Sequence, residues 1–159
     1  MRVVCSPNPT PLHSSAGVAF SLFKPPQEQG VGRLASTLPI NVRRAGISPS
    51  DKTWDFLAIA LSAAAADFGC LRRHSPDGWT REIALEVSVL DPSFWLTQKA
   101  SLEEALAYLT GDIWSIDFAG DGTPAPVPTP RTRRRTKGDC VCLFSGGADS
   151  LVGAIDTVT

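Results

Sequence analysis

The residues whose types and spacing promise chemistry stand near the end of the chain, at Ser145-Gly146-Gly147-Ala148-Asp149-Ser150. An apolar run, Cys140-Val141-Cys142-Leu143-Phe144, leads into them, and the residues that follow read as a helix. Strand, glycine turn and helix is an arrangement that grips phosphate. Gly146 and Gly147 carry no Cβ, so the backbone can approach a bound anion closely. A helix opening near Ser150 adds unpaired N–H groups and the positive end of its dipole. The hydroxyls of Ser145 and Ser150 can donate to phosphate oxygens. Asp149 does not favour an anion directly; its part is to cap the helix, order the loop or help hold Mg2+.

Other phosphate loops do not fit these residues. The G-x-x-x-x-G-K-[ST] pattern is absent, no lysine lies within the loop, and the spacing is not G-x-G-x-x-G. The plain alternative is a Gly-Gly turn with a Ser/Asp cap. Phe144-Ser145-Gly146-Gly147-Ala148-Asp149-Ser150 resembles the S-G-G-x-D-S loop of the PP-loop ATP pyrophosphatases. Leu143 to Gly147 most resembles the QueC branch, the 7-cyano-7-deazaguanine synthases of queuosine biosynthesis. The resemblance implies an ATP-binding C–N ligase that activates a carboxylate as an adenylate and releases pyrophosphate and AMP; with no signal peptide visible, a cytoplasmic location is the expectation. It also implies that Ser145, Gly146, Gly147, Asp149 and Ser150 bind ATP with Mg2+. Zinc-binding cysteines expected late in such enzymes would lie beyond Thr159, and the resemblance assigns no catalytic residue here.

QueC enzymes begin almost directly with the loop, whereas about 140 residues precede it here. The pattern Asp77-Gly78-Trp79 to Ile83, then Asp91-Pro92-Ser93-Phe94-Trp95, then Leu109 to Trp114, resembles the leader of QueC-like anti-phage proteins of the QatC type. That likeness implies protein partners from a defence operon. Two other readings stand beside it. One is a partner- or substrate-binding module whose loop no longer turns over ATP. The other is a tRNA-modifying PP-loop enzyme, for which the loop and a basic run speak. A helix of about nine residues after Ser150 is too short to hold alone, so residues 1–159 are expected to be inactive as an isolated fragment.

The remaining polar candidates are fewer. Arg131, Arg133, Arg134, Arg135 and Lys137 form a run with no acid, and the rest of the chain carries about −6. Such a run can release counterions from nucleic acid, but it lacks interleaved aromatics, which favours a solvated linker. His13 and His74 lie in polar stretches without a nucleophile pattern. Cys5, Cys70, Cys140 and Cys142 show no metal-ligand spacing; Cys140 and Cys142 read as small residues on one face of a buried strand. Asp112 and Asp117 read either as a carboxylate pair or, more simply, as a turn cap and a strand-edge charge. Trp54, Trp79, Trp95 and Trp114 read as core or interface anchors, with Trp79 or Trp95 marking a partner surface if exposed. No apolar run approaches ~20 residues, so no membrane span is expected.

The elements that position these residues follow from periodicity. Short strands are expected near Val3–Cys5, Val18–Phe23 and Leu38–Arg43. Ser48 and Pro49 open a helix carrying Trp54, Leu57, Ala58, Leu61, Ala65 and Phe68, stopped by Gly69; its alanine tract reads as packing. Thr80–Leu90 alternates as a strand, with Ile83, Leu85, Val87 and Val89 inward and Glu82, Glu86 and Ser88 outward. Ser101 and Glu104 form a capping box that starts a short helix to Leu109. Trp114, Ile116 and Phe118 alternate in a last strand. The expectation is an α+β leader over residues 1–119, a sheet with one long and one short helix. A Pro-rich and basic linker follows over 120–138. The first strand-loop-helix of a truncated α/β PP-loop domain then fills 139–159.

Overall fold

A computed structural model describes residues 1–12 and 17–128. His13, Cys140, Cys142, the basic run and the glycine loop lie outside the described residues. The described chain runs β1 (Arg2–Ser6), β2 (Gly17–Leu22), β3 (Val31–Leu34), α1 (Leu38–Ala45), α2 (Asp51–Gly69), β4 (Glu82–Ser88), α3 (Pro92–Thr110) and β5 (Ile113–Ala119). The strands form one five-stranded sheet in the order β3-β2-β1-β4-β5, and every ladder is parallel.

Helices and strands thus share one sheet-centred body, and the parallel ladders bring it close to a wound α/β arrangement. One sheet face carries Val3, Cys5, Leu22, Ile83, Leu85, Val87, Trp114 and Ile116, all buried against α2 and α3. Phe20 and Leu22 share that face, as their spacing predicts, and the inward set of β4 is as expected.

Three expectations are corrected. Leu38–Arg43 is helical, not extended. Leu38, Ile40 and Val42 alternate, but Leu38 and Val42 also fall four apart, and both pack on the core while Ile40 is exposed. Pro39 in the first turn and Gly46 in the left-handed conformation (φ 70°) close the two ends. The second helix is capped by Ser50, whose Oγ accepts from the Thr53 amide at 3.2 Å, rather than by Ser48. Its buried stripe is Trp54, Asp55, Ala58, Ile59, Ser62, Ala63 and Ala66, leaving Phe68 83% exposed.

The third correction concerns α3. Ser101 does not start a helix; it sits midway along one of 19 residues. Asp91 is the cap, accepting from the Phe94 amide at 3.0 Å, and Pro92 occupies the first turn. Nothing between Ser93 and Ser101 breaks a helix, and Trp95, Leu102 and Leu106 keep one face on the core. The expected short helix is therefore a second long one. β3 is an element the periodicity missed: Val31–Leu34 is four residues with a glycine inside. Gly32 is required there because the Phe20 ring lies where its Cβ would be, 2.5 Å away.

Residues 121–128 form neither helix nor strand, as alternating prolines dictate. Their start is fastened to the body. The Gly122 amide donates to the Val89 carbonyl at 3.2 Å, and the Ala125 amide donates to Asp51 Oδ1 at 3.2 Å.

Candidate functional site

The chain first winds from β1 through β2 to β3, then crosses back to lay β4 on the other side of β1. The carboxyl ends of β1 and β4 therefore diverge at a switch point, where parallel sheets commonly bind ligands. A groove of about 490 Å³ lies there, on the sheet face opposite the helices. Its floor is Val4, Ser6, Glu86, Ser88 and Ala119, because residues two apart on a strand share a face. Asn8 and Thr10 in the β1–β2 connection and Asp121 after β5 supply the walls.

The polar groups here are ordered by one another. Arg2 Nη2 donates to Glu86 Oε2 at 2.7 Å, across neighbouring strands. Ser88 is buried, and its Oγ donates to Asp121 Oδ1 at 2.6 Å. Gly122 follows because the chain lies on the backbone of β4's end: a Cβ there would meet the Val89 carbonyl carbon at 2.4 Å.

Two buried carboxylates support the scaffold instead of lining the groove. Asp55 accepts from the amides of Leu90 and Asp91 and from Trp95 Nε1 at 3.0 Å, fixing the exit of β4 and the entry of α3. Asp112, with no side-chain exposure, pairs with Arg81, and Arg72 Nη1 donates to it at 3.0 Å. Burial opposes its charge, but hydrogen bonds from the Arg81 side chain and amide hold its pKa down to about 2. Arg81 in turn is held firmly charged by Asp112 and Asp67. Arg81 Nη1 also donates to the carbonyls of Asp67 and Cys70, closing the end of α2 onto the start of β4.

Sequence reasoning passed over Asp55 and Arg81. A signal existed for Asp55: it shares the helical stripe of Ile59, Ser62 and Ala66, where an acid needs buried donors. Arg81 gave one too: in the expected strand Thr80–Leu90 it falls in phase with the inward Ile83, Leu85 and Val87, where a base needs buried acceptors.

Asp112 and Asp117 do not form a pair. Asp117 is exposed and receives Lys99 Nζ at 3.2 Å, while Asp112 is buried in the arginine clamp. His74 is exposed in a 3-10 turn at Arg72–His74. Cys5 and Cys70 are buried thiols; burial raises Cys5 to about 11, with the Ser62 hydroxyl opposing. Trp54, Trp95 and Trp114 are core residues, whereas Trp79 is 69% exposed and lies over the Arg72 guanidinium at 5.3 Å. Among the described residues no group of three His, Cys, Asp or Glu is arranged to hold a metal ion, and no helix is long and apolar enough to cross a membrane. Comparison of the chain with protein families, curated proteins and solved structures finds no match.

Proposed function

We propose that the chain is the leading part of a QueC-like, ATP-dependent adenylating enzyme acting in the cytoplasm in anti-phage defence. The observation that carries this reading is the loop Ser145-Gly146-Gly147-Ala148-Asp149-Ser150 directly after an apolar run. Ser145, Gly146, Gly147 and Ser150 hold the pyrophosphate of ATP, and Asp149 orders the loop or its Mg2+. Residues 1–119 serve as the recognition body that brings substrate or partner to that loop.

The composition of the body's own switch point favours this division of labour. Pro7, Pro9 and Pro11 lack an N–H and the β1–β2 connection contains no glycine, so its sequence offers no glycine-rich phosphate cradle after β1. Nucleotide binding then falls to the later loop. The test is conversion of ATP to AMP and pyrophosphate by the full-length gene product, with the Asp149→Ala variant beside it. The expected result is a fall in pyrophosphate release of about 100-fold, the scale of losing one preorganised group at a reacting phosphate. Unchanged release, or ADP as the product, overturns the reading.

The groove beside Glu86 and Ser88 favours a second reading, a binding module whose loop is catalytically silent. Absence of pyrophosphate release even with a co-expressed partner, together with specific recovery of a partner from the host, is the outcome that selects it.

A further inference from the structure

We infer that the groove at the β1/β4 switch point binds a small cationic molecule, an amidinium, guanidinium or protonated amine on a compact apolar body, and rejects anions. The inference stands whether or not the loop of residues 145–150 turns over ATP.

The charge balance comes first. Among the described residues of the lining Arg2 is the one cation, and its guanidinium is already engaged by Glu86 Oε2 at 2.7 Å. Glu86 and Asp121 bring two carboxylates, so the described lining is net negative. Among the described residues, each carboxylate has one oxygen engaged: Glu86 Oε2 by Arg2, and Asp121 Oδ1 by Ser88 at 2.6 Å. Their second oxygens, Glu86 Oε1 and Asp121 Oδ2, accept from no described donor.

Among the described residues 7–12 of the β1–β2 connection, half have no backbone donor. Pro7, Pro9 and Pro11 have no N–H, and the β1–β2 connection leads into a strand. A phosphate at this switch point would face the two carboxylates.

The apolar part of the lining sets the body of the ligand. Val4, Pro9, Leu12 and Ala119 supply hydrocarbon surface between the polar groups. A volume of about 490 Å³ falls in the range of small-molecule sites. A flat or compact apolar group fits against these residues while its cationic end donates to the open carboxylate oxygens.

Benzamidinium and benzoate test this directly, since they share a shape and differ in charge. Each is titrated into the full-length protein while the backbone amides of Val4, Ser6, Ser88 and Ala119 are followed by NMR. Benzamidinium is expected to shift these amides with a Kd on the order of 1 mM, and benzoate to leave them in place. Glu86→Gln with Asp121→Asn is expected to weaken benzamidinium at least 10-fold, the scale of a charge-assisted hydrogen bond. Both side chains are solvent-accessible, so the double variant keeps the fold, which its amide spectrum checks. Equal shifts by benzoate, benzamidinium shifts that survive the double substitution, or no shift up to about ten times that concentration overturns the proposal.

Discussion

At the scale of single residues, this body is organised by carboxylates that face inward. Asp55 satisfies two backbone amides and an indole N–H at once, so it joins α2, the end of β4 and α3 through one side chain. Asp112 does the same at the opposite end of the sheet, through Arg81 and Arg72. Its folded pKa of about 2 lies below the ordinary 3.8. The stabilisation is therefore fully present above about pH 5 and is lost as pH falls through 3.8 toward 2. Acid unfolding followed by circular dichroism should show the wild type losing on the order of 2 kcal/mol across that window. Asp112→Asn should be less stable at neutral pH and flatter between pH 5 and 2. A variant with the wild-type acid profile would remove Asp112 from this role.

At the scale of elements, the ends of the helices and the edge of the sheet decide the outcome. Asp91 caps α3 and Pro92 opens it, so only three residues, Val89 to Asp91, separate the strand from the helix. Among the described residues β5 is a sheet edge, and an open edge can pair with another strand. Glu103 from α3 covers it: Oε1 accepts from the Ile116 amide at 2.8 Å, and Lys99 steadies that carboxylate while also reaching Asp117. Glu103→Ala should raise hydrogen exchange at the Ile116 amide by about 10-fold or more and should increase self-association in light scattering. Unchanged exchange with an unchanged mass would show that the edge needs no such cover.

At the scale of the whole molecule, the chain after β5 turns back across the sheet and helps complete the groove. Gly122 makes that return possible, because any side chain there would collide with the backbone of Val89 and Leu90. Gly122→Ala should cost about 1–3 kcal/mol in a urea melt, the usual range for overpacking. It should also disturb the Ser88 and Asp121 side of the groove first. A melt within error of wild type would mean that the strap moves aside freely.

Much of this fold was legible along the chain. Alternation identified β4, β5 and the inward faces of Val18–Phe23, and the alanine-rich helix was plain, because those patterns repeat over enough residues to exclude other periods. Leu38–Ala45 was not legible, since three apolar residues two apart satisfy a strand and, at the first and third, a helix. Ser101 and Glu104 offered a cap signal inside a helix that had already begun, and only the packing of Trp95 on the core shows it unused. The groove was invisible in sequence for a different reason. Arg2, Glu86 and Asp121 are brought together by strand order, and strand order is set by how the crossovers close, not by local propensity. The sequence by itself determined the strands with clean alternation and the long second helix, which depend on neighbours a few residues away. The tertiary structure alone decided that all five strands run parallel, that Asp55 and Asp112 are buried among donors, and that a net negative groove forms where β1 and β4 part. Those depend on contacts between residues tens of positions apart, which no local spacing records.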